Sequence, residues 1–140
     1  MTSIETLYDL FLRHPHVTTD SRNIPAGSLF FALKGASFNG NHFASQALKA
    51  GSSYAIVDEA DAVVNDRCLL VDNVLETLQS LANHHRKVCG IPVIGITGTN
   101  GKTTTKELMA AILSRRYNIL YTQGNFNNHI GVPLTLLRLT

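Results

Sequence analysis

The run Pro92-Val93-Ile94-Gly95-Ile96-Thr97-Gly98-Thr99-Asn100-Gly101-Lys102-Thr103-Thr104-Thr105-Lys106 brings together the residue types that hold a nucleoside triphosphate. Its β-branched apolar start predicts a buried strand over 91–96, with Pro92 tolerable at the strand's beginning. Gly98 and Gly101 allow the backbone to curl until several N–H groups converge on phosphate oxygens. The helix expected from Lys102 adds the positive end of its dipole. Lys102 would supply a mobile ammonium for the outer phosphates of ATP, and the Thr103 hydroxyl a ligand for Mg2+. Gly98, Thr99, Asn100, Gly101, Lys102, Thr103 and Thr104 are therefore the candidate ATP contacts. The strict pattern G-x-x-x-x-G-K-[ST] asks for Gly at position 96, where this chain has Ile. An ordinary Gly-rich βα turn is the competing reading, and the order strand, turn, Gly-Lys-Thr-Thr, helix favours the phosphate loop.

Two further polar clusters have residue types suited to binding. Thr18-Thr19-Asp20-Ser21-Arg22 lacks apolar periodicity. It reads either as a loop tied by Asp and Ser side chains or as a site for a phosphate or nucleoside, with Ser21 donating and Arg22 supplying charge. Gln123-Gly124-Asn125-Phe126-Asn127-Asn128-His129-Ile130-Gly131 follows an expected strand. Open α/β sheets bind ligands past such strand ends, and amides there donate and accept without adding charge. A tight Asn-rich turn is the alternative.

The elements that must position these clusters alternate between strand and helix. Thr2-Ser3-Ile4-Glu5 has the form of a capping box, and Ile4, Leu7, Tyr8 and Phe11 follow at helical spacing, so 3–13 reads as an amphipathic helix stopped by His14-Pro15. Residues 28–33 read as a strand buried on both faces. A loop from Lys34 to Gly40 follows, and Asn41 is the expected cap of a helix to Ala50, with Phe43, Ala44, Ala47 and Leu48 on its apolar face and Gly51 as its stop. Strands are expected over 54–57, 68–71 and 117–122. Helices are expected from Asn73 to about Lys87, from Lys102 to about Arg115 with Leu108, Ala111 and Ile112 inward, and from Val132 into Leu139. The fold class is α/β: a small unit over 1–88, then the start of a phosphate-loop α/β domain over 89–140.

Hydrophobic residues make up 44% and charged residues 16% of the 140, so a packed core is expected rather than disorder. The net charge of +2 is scattered apart from His84–Lys87 and Arg115-Arg116, which read as complements to helix C-termini, so nucleic acid is not an expected partner. Cys68 and Cys89 have neither metal nor redox spacing. No apolar run reaches membrane-spanning length and the N-terminus lacks a secretory pattern, which predicts a cytoplasmic protein with reduced thiols. His42, a lone histidine at a helix start, reads as structural or exposed.

Taken together, the Thr-Asp-Ser-Arg block, Gly27 to Gly35, and Gly95 to Glu107 resemble the Mur ligases of peptidoglycan synthesis, a family that shares the displaced glycine. The resemblance runs from about Asp20 to Leu137. Within the family, Gly124 to Leu137 is similar to the members that join D-alanyl-D-alanine to UDP-N-acetylmuramoyl-tripeptide. The resemblance implies that 1–88 receives the UDP end of that substrate, with Ser21, Ala36, Ser37 and Phe38 lining the site and Arg22 beside it. It places Asn128, and with it the Asn125 loop, near the phosphates and the substrate. It implies ATP and Mg2+ as cofactors, with activation of the peptide carboxylate as an acyl phosphate that the dipeptide amine attacks. It also implies further machinery beyond Thr140, so that the 140 residues are the front part of a longer enzyme and do not ligate alone. An incomplete second sheet would leave an open edge through which two copies could pair. The sister ligase that adds the third amino acid, folylpolyglutamate synthetase and a noncatalytic nucleotide-binding module are the alternatives. The Asn loop argues against the first, and the Asp-Ser-Arg region against the second.

Overall fold

The computed structural model describes residues 1–124 and 126–140. Four parallel strands, β1 (Val17–Thr18), β2 (Leu29–Phe31), β3 (Tyr54–Val57) and β4 (Cys68–Leu70), form one sheet in sequential order. Three helices belong to the same half of the chain: α1 (Ile4–Arg13), α2 (Ala44–Lys49) and α3 (Val74–Cys89). α4 (Lys102–Leu113) and α5 (Gly131–Leu136) follow.

Side chains alternate across a strand, and β2 sends Leu29 and Phe31 to one face of the sheet and Phe30 to the other. The first face packs Leu7 and Phe11 of α1 with Leu78 and Leu81 of α3. The second packs Phe30, Ala55 and Val57 against Ala44, Ala47 and Leu48 of α2. All of β2 is buried, as its uninterrupted apolar run predicts. α5, late in the sequence, closes the first face, where Leu137 beyond its C-terminal end is only 4% exposed and Leu134 and Leu136 pack alongside.

Local signals account for most element ends, with three shifts. Ser3 caps α1, accepting from the Thr6 N–H, whereas the Thr2 N–H is engaged by the Leu70 carbonyl and so joins helix to sheet. Asn73 caps α3 and Gly90 ends it in the left-handed conformation, two residues beyond the expected end. Asn39, rather than Asn41, opens the second helical segment through a single 3-10 turn, Gly40–Phe43. Phe43, expected on the apolar face, is 37% exposed because this turn rotates it outward from α2. The short β1 runs into the polar cluster at Thr18, and its two residues are too few to show periodicity.

Asn41 is displaced from the cap by a stronger use. It is 3% exposed. Its Oδ1 accepts the Asp58 and Glu59 N–H groups at 3.0 and 3.3 Å, and its Nδ2 donates to Asn39 and Asp58 at 2.9 Å each. Lys34 Nζ lies 3.0 Å from both Asp58 and Glu59, and the second Asp58 oxygen accepts the Val74 N–H at the start of α3. Burial pushes the Asp58 carboxyl up, but Asn41, Val74 and Lys34 together hold it below the ordinary carboxylate range. The Asn39 amide and Lys34 hold Glu59 below it as well.

The second half departs from expectation in two places. Neither 91–96 nor 117–122 is a hydrogen-bonded strand. Composition favours an extended backbone, but a strand is completed only by a neighbour's N–H and C=O groups. These two runs flank a cavity instead of pairing. α4 buries Ala110, while Leu108 and Ile112, expected inward with Ala111, are 60% and 68% exposed. Ala111 is exposed too, since no described element packs against that stripe.

Asn41→Ala strips the buried N–H groups of Asp58 and Glu59 of their acceptor, and should lower unfolding free energy by about 2 kcal/mol in urea titration. Because the Asp58 and Glu59 carboxyls are depressed on folding, their contribution is present above the ordinary carboxylate pKa of about 4 and fades as pH falls through the lower folded values. Asp58→Asn should therefore flatten the fall in stability between about pH 5 and pH 2.

Candidate functional site

In a parallel sheet all strands point one way, so the segments that follow β1, β2 and β3 emerge along one edge. Asp20–Arg22 follows β1, the 34–40 loop follows the adjacent β2, and Asp58-Glu59 follows β3. Four of the five residues expected to contact the UDP end, Arg22, Ala36, Ser37 and Phe38, are exposed there, and Ser21 is half-buried. The Asp20 carboxylate accepts the Arg22 N–H and Nε at 2.9 and 3.0 Å, with a further guanidinium nitrogen at 3.2 Å. This pairing holds the Asp20 carboxyl below its usual range and Arg22 above its own. Arg22 therefore presents a guanidinium tethered on one side. The 34–40 loop is closed by a Lys34–Asn39 bridge and a Gly35 N–H to Phe38 carbonyl bond of 2.9 Å. Phe38, at its tip, is 54% exposed. His42 is exposed, as expected.

The second cluster surrounds the N-terminus of α4. Gly101 caps this helix with φ +77°, a left-handed conformation that favours glycine. A glycine cap offers no side chain, so none satisfies the first-turn N–H groups of α4. Lys102 and Thr103 line a cavity of about 450 Å3 together with Val93–Thr97 and Leu120–Thr122. Gly98–Gly101 form the exposed turn at its approach, and Thr104 is exposed on α4 outside the lining. A donor-rich helix start facing a cavity with an ammonium and a hydroxyl is suited to a polyphosphate.

The Asn loop divides its residues between structure and site. Asn127 lines the cavity. Asn128 does not, because its Oδ1 accepts the Ile130 and Gly131 N–H groups at 3.1 and 2.7 Å and so holds the start of α5. Asn125 lies outside the described residues. Gly131 is needed at the base of the loop, since a Cβ there would come within 2.6 Å of the Phe126 backbone. Lys106 and Thr135, to which no role fell from the sequence, also line the cavity. For Lys106 the available signal was its spacing of four from Lys102, which puts both on one helix face.

With this geometry in place, comparison with known proteins is decisive. The model described as "Mur ligase family, catalytic domain" matches residues 15–112, and "Mur ligase middle domain" matches 96–140. The chain belongs to the Mur ligase family. It is 44% identical over 125 residues to the UDP-N-acetylmuramoyl-tripeptide--D-alanyl-D-alanine ligase of Bacillus subtilis, covering 88% of this chain and 27% of that protein. To the Escherichia coli ligase of the same name it is 46% identical over 124 residues, covering 89% and 27%. Among solved structures it is similar to MurF from Acinetobacter baumannii (TM-score 0.82, 38% identity, 89% of this chain, 28% of that one). It is likewise similar to MurF ligase from Thermotoga maritima in complex with ADP (TM-score 0.80, 34% identity, 92% and 30%). The chain thus spans just over a quarter of the length of the curated relatives it matches.

Gly131→Ala should force the loop away from α5 at a cost of about 2 kcal/mol, read by thermal unfolding, with amide shifts changing around Phe126 and Asn127.

Proposed function

We propose that this chain forms the UDP-sugar edge and the ATP phosphate loop of a ligase that joins D-alanyl-D-alanine to UDP-N-acetylmuramoyl-tripeptide. Residues 1–88 are read as the sugar-nucleotide unit and 89–140 as the start of the ATP-binding domain. The observation that carries the reading is the glycine-capped N-terminus of α4, which no side chain caps, with Lys102 and Thr103 lining one cavity. The ADP named for the Thermotoga relative supports a nucleotide as a ligand of this chain.

In this reading the peptide carboxylate, a poor electrophile, takes a phosphoryl group from ATP, and the dipeptide amine displaces phosphate from the acyl phosphate. Lys102 and the first-turn N–H groups of α4 stabilise charge on the transferring group through position and electrostatics. The Thr103 hydroxyl fits Mg2+ as one oxygen ligand, with nucleotide phosphates and waters for the rest. That ion would neutralise phosphate charge. Among the described residues no group of three or more His, Cys, Asp or Glu could hold a metal ion by itself, so the ion would be held jointly with the nucleotide. Ser21, Arg22 and the Ala36–Phe38 loop take the UDP end, with Phe38 offering a ring face to the base. No helix among the described residues is long and apolar enough to cross a membrane, which supports a cytoplasmic placement. The 91–96 and 118–121 backbones, which pair with no strand, and the exposed Leu108 and Ile112 support self-association of the isolated chain.

NMR titration with Mg-ATP should shift amides of 98–105, and Lys102→Ala should weaken binding by roughly tenfold or more. Calorimetry with UDP-N-acetylmuramoyl-tripeptide should show weak heats that Phe38→Ala diminishes, and a flat titration at millimolar ligand would remove the sugar-nucleotide assignment. The chain alone should form no ligation product. Sedimentation over a concentration series should show mass rising above that of one chain.

A further inference from the structure

Lys106 stands one turn beyond Lys102 on α4 and lines the same cavity, yet the phosphate-loop chemistry uses only Lys102. The two lysines differ in setting. Lys102 is exposed, whereas the Lys106 side chain is only 15% exposed. Its Nζ donates to the Thr122 carbonyl at 2.7 Å, and its nearest carboxylate, Glu107 at 3.7 Å, is itself 54% exposed. A mostly buried ammonium whose short contact is a main-chain carbonyl acts as a strut.

What the strut holds is the entrance to the Asn loop. Thr122, Gly124 and Asn127 line the same cavity as Lys102 and Thr103. Gly124 turns the chain through φ +49°, and the Phe126 N–H closes on the Gln123 carbonyl at 2.9 Å. The far end of the loop is held separately. Gln79 Nε2 of α3 donates to the His129 carbonyl at 3.1 Å, and Asn128 holds the start of α5. Since 117–122 has no strand partner, the Lys106 bond is the side-chain tie that joins the near end of the loop to α4.

We propose that Lys106 is a positioning residue that holds the wall formed by Thr122, Gly124 and Asn127 at a set distance from the Lys102 turn, so that nucleotide binding depends on it without its touching the phosphates. The proposal rests on the nucleotide reading of this cavity. A residue acting through the wall should affect ATP and ADP alike, whereas a phosphate contact should discriminate between them by charge.

The test uses the 140-residue chain with Lys106→Met, Lys106→Arg and Lys102→Met. Hydrogen exchange without nucleotide should rise at the Phe126 amide, which the Gln123 carbonyl holds, in Lys106→Met and stay unchanged in α1 and α3, which also certifies the fold. Mg-ATP and Mg-ADP affinities should fall together, each by about tenfold. Lys106→Arg, which keeps a cationic donor, should restore both readouts, and Lys102→Met should weaken ATP more than ADP. Unaltered exchange at Phe126, undiminished affinity, or a loss confined to ATP in Lys106→Met would each overturn the proposal. If the unsubstituted chain binds neither nucleotide, the cavity reading fails and the positioning role falls with it, while the exchange data still report whether the strut itself exists.

Discussion

The arrangement of the sheet edge depends on one buried amide. Asn41 uses both ends of its side chain, taking two N–H groups after β3 and giving two bonds to Asn39 and Asp58. Through Asp58 it reaches Lys34 at the start of the loop after β2 and the first turn of α3. Three segments that leave parallel strands are thereby held in one network. A buried polar group of this kind is costly when partly satisfied and specifying when fully satisfied. Here the four bonds are all made, and the exposed Ala36–Phe38 tip rests on a base that is fixed.

The phosphate-loop half is organised differently. It has little apolar burial of its own, with Ala110 the buried residue of α4. Its geometry comes from a glycine-capped helix start and a few long-range ties. One is Lys106 to Thr122. Two others reach back to α3, from Gln79 to the His129 carbonyl and from His85 to the Leu139 carbonyl at 2.8 Å. A carbonyl only accepts, so His85 carries its proton on Nε2, and in the neutral ring Nδ1 accepts from the Tyr8 hydroxyl 3.1 Å away. α5 and the residues just after it therefore belong energetically to the core of the first half while being adjacent in sequence to the Asn loop. The loop is suspended between the first half of the chain and α4.

That suspension has a chemical use in the proposed reaction. The carboxylate to be activated is on the UDP-linked substrate and the phosphoryl donor is on α4, so the two must meet within bonding distance. A loop anchored on both halves registers one against the other. The anchors are hydrogen bonds to main-chain carbonyls, which hold position without adding charge beside the phosphates, apart from the single ammonium of Lys106.

Much of this was legible in the residues alone. The fully apolar β2, the helical spacing in α1 and α3, the Asn73 and Gly90 caps and the Gly98–Lys102 turn all arise from contacts within a few positions of the chain, and such contacts leave a pattern in sequence. The turn before α4 could be read because its conformation is imposed by glycine and the chemistry it offers by the next two residues. Other features were set by partners far along the chain. Asn41 became a buried clasp rather than a cap because Asp58, 17 positions away, folds beside it. Asn128 spends its acceptor on α5, so Asn127 faces the cavity in its place. The runs 91–96 and 117–122 have strand composition and no ladder, because pairing requires a second backbone that composition does not provide. Lys106 acquired a role only when Thr122, 16 positions on, came within 2.7 Å of it. The sequence by itself determined the local geometry and the type of chemistry, since torsional preference and side-chain reactivity belong to single residues. The tertiary structure alone decided which polar groups are free to meet a ligand, since a donor or acceptor is committed by whatever lies across from it in space.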